Sequence, residues 1–329
     1  MTYFRIPARI AGALVTMAAL LFSAPPALAE GQTDKQTTVK LTYARGGGNI
    51  TLLARERGEF AKRLAAQGIN VEWVGPFSSH AQSIQAVVGK SADFSFGGST
   101  TPGIAAILAG SPVVFTQFYV YQPRTSAIIA RDGSGINRVE DLIGKTVAVN
   151  RSGLGEVLLV AALEKHNIER SKVKAIYLNA ADAASALGSG KVDAWAWWSP
   201  AIDIARQNYK AHNVFIESEQ DQIYDFSSFL TRRDFARDHP DLVKAVGAAY
   251  AAEGEWATAH PQEVEAISQA TGKYSDEVKD YFISLKRQYQ FYPADDAQFL
   301  QTLQNAADWL TRHKILPQAV KVTDLIAKH

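Results

Sequence analysis

The sequence has no cysteine among its 329 residues. It therefore offers no disulfide, no thiolate ligand for a metal, no cysteine nucleophile and no N-terminal cysteine for a lipid. Methionine is almost as scarce, because the chain has only Met1 and Met17. Beyond those two positions the chain lacks both side chains that oxidise most easily. This composition favours a protein that works in an oxidising compartment.

Long hydrophobic runs are also missing, apart from one near the N-terminus. Arg5 and Arg9 precede an uncharged run at residues 10–22, and the small-x-small pattern Ala-Leu-Ala follows at residues 27–29. The run is shorter than the roughly 20 residues that span a bilayer, so a membrane anchor is the weaker alternative. We expect residues 1–29 to be a cleaved signal peptide and the protein to be periplasmic.

Neither sign of charge dominates, and no pattern typical of an enzyme stands out. Without residues 1–29 the chain has 32 basic and 33 acidic residues, which argues against nucleic acid and anionic membranes as partners. The seven histidines lack the spacing of metal ligands, and no Gly-x-Ser-x-Gly elbow occurs. From the residues we expect no metal, no cofactor and no catalytic centre.

The most informative pattern is a unit that occurs twice, about 100 residues apart. Residues 89–96 read Gly-Lys-Ser-Ala-Asp-Phe-Ser-Phe, and residues 190–197 read Gly-Lys-Val-Asp-Ala-Trp-Ala-Trp. In each copy a Gly-Lys turn ends a helix, an aspartate precedes a short apolar strand, and Ser, Thr or Pro residues begin the next helix. Helix N-termini that follow strands present free N–H groups to an anion. The repetition predicts two similar lobes that hold a small anionic ligand between them.

The chain alternates strands and helices, which predicts an α/β fold with a mostly parallel sheet. We expect lobe I to comprise residues 37–125 and 226–329 and lobe II to comprise residues 126–225, so that the chain crosses twice between the lobes. Within lobe I the pattern predicts one helix over residues 49–67 and a short strand over residues 94–96.

Five segments, taken in order, resemble one family. They read Tyr-Ala-Arg-Gly-Gly-Gly-Asn at residues 43–49, Gly-Gly-Ser-Thr-Thr-Pro at 97–102, Glu-Asp-Leu-Ile-Gly-Lys-Thr-Val-Ala-Val at 140–149, Val-Asp-Ala-Trp-Ala-Trp-Trp-Ser-Pro at 192–200 and Arg-Gln-Tyr at 287–289. Together they resemble the periplasmic substrate-binding proteins of bacterial ABC importers for aliphatic sulfonates, taurine and nitrate. The resemblance implies a two-lobed periplasmic binding protein fold (type II), with two inter-lobe crossings and a ligand cleft between the lobes. It also implies a monomer that delivers a small organic oxyanion, such as a sulfonate, to permease and ATPase subunits at the inner membrane.

The resemblance further implies which residues contact the ligand. They are turn and helix-start residues that line the cleft in this family: Gly47, Gly48, Asn49, Ser99, Thr100, Thr101, Ser152 and Gly153. Each has a plain alternative, because serine, threonine and asparagine commonly cap helices and glycines fill ordinary turns. The run of three glycines at residues 46–48 is more informative, since it allows the backbone to approach a ligand closely.

Three tryptophans lie at the end of the second copy of the repeated unit, at positions 195, 197 and 198. Strand alternation places Trp195 and Trp197 on one face and Ala196 and Trp198 on the other. We expect Trp197, Trp198 and Tyr121 to form an aromatic wall of the site, the alternative being that they pack a core. Such a wall suits an organic ligand better than a bare inorganic anion.

One position departs from the family pattern, which usually reads Trp-Asp-Pro where this chain has Trp198-Ser199-Pro200. If that aspartate engages a ligand amine, Ser199 removes the charge and favours a ligand without a cationic group. Taurine is then a weaker candidate than an alkyl or aryl sulfonate, and nitrate, a sulfate ester or a neutral heterocycle are alternatives. Enzymes of a related fold that make the thiamine pyrimidine rely on a cysteine-rich motif, which this chain lacks. We therefore predict a binding subunit and not an enzyme.

Overall fold

The computed structural model describes residues 37–45 and 49–328. The predicted signal peptide and two predicted ligand contacts, Gly47 and Gly48, lie outside the described residues. Within the described ranges, no helix combines the length and the apolar character needed to cross a membrane.

The described residues form eleven strands and twelve α-helices. The strands are β1 (Thr37–Ala44), β2 (Ile69–Phe77), β3 (Gly98–Ser99), β4 (Val113–Gln122), β5 (Ala127–Arg131), β6 (Thr146–Val149), β7 (Lys174–Tyr177), β8 (Ala194–Trp197), β9 (Ala211–Ile216), β10 (Ser227–Arg232) and β11 (Gln288–Pro293). The helices are α1 (Ile50–Arg57), α2 (Glu59–Ala65), α3 (His80–Val88), α4 (Thr100–Leu108), α5 (Leu154–Lys165), α6 (Ala180–Gly188), α7 (Ala201–Tyr209), α8 (Arg233–Asp238), α9 (Pro240–Ala259), α10 (Pro261–Gly272), α11 (Asp276–Ser284) and α12 (Ala297–Arg312).

The strands form mixed sheets, so the prediction of a mostly parallel sheet is wrong. One sheet is antiparallel with the order β11-β4-β10-β3, and β1 pairs in parallel with β2. The other sheet has the order β7-β6-β8-β5-β9, in which β6 is parallel to its neighbours and β5 is antiparallel to both of its own. The chain leaves the first sheet through β4, enters the second at β5, leaves it at β9 and returns at β10. β4 lies beside β10, and β5 lies beside β9. In each pair one strand leads out of its sheet and the other leads back, so the two run in opposite directions.

Each sheet draws its strands from separate parts of the chain. The five-stranded sheet uses residues 127–216 alone, whereas the other strands come from residues 37–122 and 227–293. The lobe boundaries expected at residues 126 and 226 stay a prediction.

The repeated unit makes the same hydrogen bonds in both copies. Asp93 Oδ2 accepts from the Lys40 backbone N–H at 2.9 Å, and Asp193 Oδ2 accepts from that of Thr146 at 2.7 Å. Each aspartate also donates its own backbone N–H to the carbonyl of the same partner. Both aspartates thus tie the turn after a helix to a neighbouring strand, which is a structural role.

The two copies match by their aspartates, which puts Lys90 in the place of Gly190. Lys90 has φ 61° and Gly190 has φ 73°, and both end a helix in the left-handed region. With this alignment the two copies are offset by 100 positions, as their aspartates show. Ser99 at the start of α4 therefore corresponds to Ser199 just before α7.

The strand predicted over residues 94–96 is wrong, because only an isolated bridge at Phe94 forms there, followed by one backbone hydrogen bond of 2.8 Å from the Ser95 N–H to the Leu230 carbonyl of β10. Phe94 bridges Leu41 of β1 in parallel and Thr231 of β10 in the antiparallel sense, and so connects the two. Two residues on, the Phe96 N–H donates to Ser83 Oγ at 3.2 Å instead of to a strand. The single helix predicted over residues 49–67 is wrong too. It breaks into α1 and α2 at Gly58, whose φ of 73° ends a helix.

Apolar side chains cover both faces of both large sheets. On β4, Phe118 packs in one cluster with Leu303 of α12, and Tyr119 packs in another with Tyr250 of α9. The five-stranded sheet is covered by α5 on one face and by α6 and α7 on the other. These clusters hold the strand ends and the turns that follow them in fixed positions.

Candidate functional site

One small pocket brings together residues that lie far apart in the sequence. Its lining residues are Tyr121, Ser199, Pro200, Glu265, Tyr274, Phe282 and Arg287. Tyr121 belongs to β4, Ser199 and Pro200 follow β8, and the other four come from the stretch between α10 and β11. The pocket has a volume of about 20 Å3, which is room for about one water molecule. Tyr121 is the predicted ligand contact that lines it.

Arg287 is the cation of this pocket, and only 8% of its surface is exposed. Its Nη2 donates to Thr125 Oγ1 at 2.7 Å, and its guanidinium lies 4.8 Å from the ring centre of Phe282 and 5.5 Å from that of Tyr121. Among residues 37–45 and 49–328, Nε has no hydrogen-bond partner and no carboxylate forms an ion pair with the guanidinium. A buried, unpaired cation is unfavourable, and an anion in the pocket would stabilise it.

Thr125 connects Arg287 to the opposite side of the pocket. Thr125 Oγ1 and Ser199 Oγ lie 2.9 Å apart. One turn along the chain lies Asp203, a buried carboxylate in the first turn of α7 that pairs with Arg206. Burial raises the pKa of Asp203, against the opposing effects of Ser199 and of the charge of Arg206. Ser199 is therefore connected to the arginine through the hydroxyl of Thr125.

Glu265 is the acid of the pocket and is buried in α10. Its Oε2 accepts a hydrogen bond of 2.8 Å from Tyr274 Oη. Burial raises the pKa of the Glu265 carboxyl, whereas the bond from Tyr274 and the charge of Arg287 act to lower it. One pocket thus holds a carboxyl, a guanidinium and three aromatic rings.

A second polar cluster surrounds Asp225. Its Oδ1 accepts from the hydroxyls of Ser99, Thr100 and Thr101 at 2.7, 3.1 and 2.6 Å, and from the Thr101 backbone N–H at 2.9 Å. The carboxylate thereby occupies the N-terminus of α4, where the helix dipole favours a negative charge. Thr100 and Thr101 are fully buried, and Ser99 is half-buried. In this structure the three hydroxyls bind Asp225, and their role in ligand binding stays a prediction.

Asn49 begins α1 and reaches the turn before α4. Its Oδ1 accepts from the Thr51 N–H at 2.9 Å, and its Nδ2 donates to the Gly97 carbonyl at 2.8 Å. Tyr119 Oη donates to the same carbonyl at 3.0 Å. Asn49 therefore caps α1 and stabilises the turn before α4. Its predicted contact with the ligand stays a prediction.

His80, the first residue of α3, stabilises the same turn before α4. Its Nδ1 donates to the Ser99 carbonyl at 2.7 Å, and its Nε2 accepts from Ser95 Oγ at 3.0 Å. Burial lowers the pKa of His80 to about 4, so the ring is neutral at physiological pH. Gly98 lies against this ring so closely that a Cβ there would clash with it. Sequence reasoning passed over His80, because a lone histidine at a helix start gives no signal.

Ser152 and Gly153 precede α5, outside the pocket described above. Ser152 has φ 47°, and its N–H donates to Glu156 Oε2 at 2.7 Å. Gly153 is buried, and a Cβ there would clash with the side-chain amide of Asn150. A role for either residue in ligand binding stays a prediction.

The tryptophans differ in part from the expected arrangement. Trp195 and Trp197 share one apolar cluster, as alternation predicts. Trp198 packs against the same cluster and stacks on Trp197, with 4.2 Å between ring centres, so its placement on the opposite face with Ala196 is wrong. The reason is that β8 ends at Trp197, and alternation does not continue past the strand end. Trp197 is buried, whereas Trp198 is half-buried next to Ser199.

Three lining residues of the pocket, Glu265, Tyr274 and Phe282, were missed as site residues, and so was Thr125, which hydrogen-bonds Arg287. Thr125 bonds Arg287 across 162 positions of sequence, and no spacing rule reveals such a contact. Arg287 was noticed only as part of the fifth family segment. That segment was the signal that could have marked it as a site residue.

The comparison with known families gives a clear result. A model described as NMT1/THI5 like matches residues 50–264, which is more than half of the chain. The chain belongs to the NMT1/THI5-like family. This NMT1/THI5-like protein has curated relatives over most of its length. One from Bacillus subtilis (strain 168), named for binding aliphatic sulfonates, is 27% identical over 282 residues, or 84% of this chain and 81% of the relative.

Two relatives from Escherichia coli (strain K12) carry related names. One, also named for binding aliphatic sulfonates, is 25% identical over 289 residues, with 88% of each chain covered. The other is the taurine-binding periplasmic protein, which is 27% identical over 210 residues, or 60% of this chain and 62% of the relative. These findings confirm the resemblance carried by the five segments.

Solved structures agree on the fold of this NMT1/THI5-like protein. The alkanesulfonate-binding protein of Xanthomonas axonopodis pv. citri, bound to MOPS, superposes with a TM-score of 0.79 at 21% identity, covering 88% of this chain and 98% of that one. The periplasmic aliphatic sulphonate-binding protein of Escherichia coli gives 0.75 at 23% identity, covering 88% and 92%. A desulfurization enzyme gives 0.63 at 19% identity, covering 89% and 97%. The periplasmic binding protein fold expected from the sequence is confirmed, and this fold serves both binding proteins and an enzyme.

Proposed function

We propose that this protein is the periplasmic solute-binding subunit of an ABC importer and that it captures an organic sulfonate, aliphatic or aryl. The names of its relatives support the class of ligand. The observation that carries the proposal is Arg287, a buried guanidinium with an unpaired Nε in a pocket lined by aromatic rings. A sulfonate would supply the missing charge through short, charge-assisted hydrogen bonds, and its organic part would lie against the rings.

The mechanism is closure of two lobes around the ligand. We assign residues 37–125 and 226–329 to lobe I and residues 126–225 to lobe II, so that Ser199 and Pro200 face the other five lining residues across the lobe boundary. The pocket has a volume of about 20 Å3, too little for a sulfonate group, and the walls must therefore separate before one enters. Hinged separation and closure is the usual motion of such a two-lobed fold.

Several predicted contacts lie around this pocket and are proposed to complete the site. Trp198, stacked on Trp197, extends the aromatic wall from Ser199. Ser99 is half-buried and lies opposite Tyr119 through Ser227 of β10, so its backbone is about 12 Å from that of Tyr121 at the usual strand spacing and rise. Ser99, the adjoining Thr100 and Thr101, Asn49 and the glycine turn would meet the far end of a ligand long enough to cover that distance. Ser152 and Gly153 would contribute from lobe II.

The remaining parts of the proposal concern partners and location. Export through the cleaved segment at residues 1–29 places the protein in the periplasm, and a permease with its ATPase would receive the ligand from a monomer. Binding without turnover is proposed because, among the described residues that line the pocket, Ser199 is the one serine and bonds Thr125, and there is no histidine to serve as its base.

A thermal-shift screen tests this function. The mature protein is tested against alkanesulfonates, aryl sulfonates, sulfate esters, taurine, nitrate and sulfate, because a ligand that binds only the native state raises the melting temperature. We expect shifts with organic sulfonates and none with nitrate. Shifts with nitrate or a sulfate ester alone would replace the sulfonate with another ligand, and detectable turnover of a sulfonate would make the protein an enzyme.

A further inference from the structure

The pocket is bordered by an apolar contact between two helices from different parts of the chain. α7 covers one face of the five-stranded sheet, and α11 lies in the stretch before β11 of the other large sheet. Ile204 of α7 packs against a cluster of three buried side chains, Tyr274, Val278 and Phe282. Because Tyr274 and Phe282 also line the pocket, this contact lies directly beside it.

The cluster of Tyr274, Val278 and Phe282 depends on α7 for its cover. It is separate from the clusters that cover the sheets, and within the described part of the chain its partly buried apolar neighbours are Ile204 and Leu285. Leu285 belongs to the same stretch as the cluster, so Ile204 is the neighbour that comes from another part of the chain. Separation of the two helices would expose this apolar surface to water, and the contact is therefore favourable.

Hydrogen bonds join the same two helices at the surface. Gln207 Nε2 donates to Ser275 Oγ at 2.8 Å and to Glu277 Oε2 at 3.3 Å. Ser275 caps α11, where its side chain accepts from the Val278 N–H. Gln207, Ser275 and Glu277 are exposed, and water can replace such hydrogen bonds at little cost. The apolar contact at Ile204 therefore provides most of the attraction between α7 and α11, and the polar bonds fix its geometry.

The two helices also carry opposite walls of the pocket. Ser199 and Pro200 directly precede α7, and Phe282 lies on α11. The Ile204 N–H donates to the Pro200 carbonyl at 3.0 Å, so Ile204 and this wall move together. While Ile204 touches the cluster, the walls enclose about 20 Å3 beside Arg287, which is room for about one water molecule and too little for a sulfonate group. The contact and a bound sulfonate therefore compete.

We propose that the α7–α11 contact, centred on Ile204, is an autoinhibitory latch that keeps sulfonates out of the Arg287 pocket. This inference rests on the proposed function, but it assigns the contact a role opposite to closure around a ligand. A sulfonate binds only molecules in which the latch is open, so the apparent dissociation constant is the intrinsic one divided by the open fraction. A variant with a weaker latch has a larger open fraction, and it binds sulfonates more tightly than wild type.

Calorimetry with butane-1-sulfonate and benzenesulfonate tests the latch. Ile204→Ala should lower both dissociation constants about threefold or more, because it removes apolar contact from the latch and leaves the pocket residues in place. Stopped-flow fluorescence should show faster association and an unchanged dissociation rate. Ile204→Leu keeps the contact and should stay within about twofold of wild type. Ile168→Ala is the matched control, since Ile168 is also half-buried and packs on the α5 face of the five-stranded sheet. Its affinity should equal that of wild type.

A cross-link tests the same inference from the opposite direction. The chain has no cysteine, so Gln207→Cys with Ser275→Cys places the protein's two thiols on either side of the latch. A short bis-thiosulfonate cross-linker should fix α7 to α11, and the linked protein should bind either sulfonate about tenfold or more weakly. Reduction removes the link and should restore binding, so the reduced protein is the control.

The outcomes separate this inference from the function on which it rests. If Ile204→Ala binds the sulfonates more weakly than wild type, with faster dissociation, the contact belongs to the ligand-bound state. The inference is then wrong and the sulfonate function stands. Equal affinities of Ile204→Ala and wild type, or equal binding by the linked and reduced proteins, would also refute the latch alone. If wild type and Ile204→Ala both bind neither sulfonate, the proposed function fails together with the inference. The cross-link decides the matter if Ile204→Ala does not fold.

Discussion

Arg287 donates a hydrogen bond of 2.7 Å to Thr125, and Thr125 lies in the passage from β4 to β5. The cation of the pocket is therefore attached to the segment that connects one sheet to the other. Thr125 Oγ1 in turn lies 2.9 Å from Ser199 Oγ, at the start of α7. An anion that binds Arg287 would thus act on a bond network that spans the proposed lobe boundary.

Removal of the Arg287 charge should weaken sulfonate binding more than any surface change. We expect Arg287→Gln to lower the affinity at least tenfold, because it removes a buried charge that the ligand would pair with. Arg287→Lys should retain part of the affinity, since the charge stays but the fork of donors is lost. Calorimetry gives the affinities, and Arg63→Gln on the exposed face of α2 is the matched control. Equal affinities for wild type and Arg287→Gln would contradict the site assignment.

Stability should fall with acid because of His80. Burial lowers the pKa of His80 from 6.5 to about 4. A depressed histidine pKa means that the native state prefers the neutral ring, so this contribution is complete above pH 6.5 and is lost as the pH falls towards 4. At 1.36 kcal/mol per pKa unit the loss amounts to about 3 kcal/mol.

Urea unfolding at a series of pH values measures this effect. The curve for His80→Gln should be flatter than that of wild type between pH 6.5 and 4. His239→Gln, at an exposed position, should follow the wild-type curve. The same pH dependence in His80→Gln as in wild type would show that another group titrates.

Asp225 should be important for stability. Asp225→Ala leaves three hydroxyls and one N–H at the start of α4 without their acceptor. We expect a loss of about 2–4 kcal/mol in the free energy of unfolding, because buried donors without partners are unfavourable. Ser99→Ala removes one of those donors and should cost about 1 kcal/mol. An Asp225→Ala protein as stable as Ser99→Ala would contradict this account of the cluster.

The aspartates of the repeated unit should matter for folding and not for binding. Asp93→Ala and Asp193→Ala each remove the acceptor of one backbone N–H, and each should lower stability by about 1–3 kcal/mol. Sulfonate affinity should stay within about twofold of wild type, a change of roughly 0.4 kcal/mol. A tenfold loss of affinity in either variant, with the fold intact by circular dichroism, would assign that aspartate to the ligand site.

Local patterns in the sequence revealed the repetition and much of the fold. The aspartates at 93 and 193 could be matched because each depends on the turn beside it and on one neighbouring strand. Whether neighbouring strands run parallel or antiparallel could not be predicted in this way, since it depends on the places where the chain passes from one sheet to the other, after β4 and before β10. Gly58 also broke a helix that the apolar periodicity alone had predicted as continuous.

The site was harder to predict than the fold, for a physical reason. Glu265 and Phe282 lie on α10 and α11 among residues that read as ordinary amphipathic helix positions. They become pocket residues only because the stretch before β11 brings Arg287 back to Tyr121. Ser99, Thr100 and Thr101 were noticed for their hydroxyls, but nothing local showed that Asp225, more than a hundred residues away, would accept from all three.

A crystal structure of the mature protein with the sulfonate that binds most tightly tests the central claim most directly. The account predicts sulfonate oxygens about 2.7–2.9 Å from the Arg287 guanidinium nitrogens, with the organic part against Tyr121 and Phe282. Sulfonate density at another place, with Arg287 still unpaired in its pocket, would contradict it.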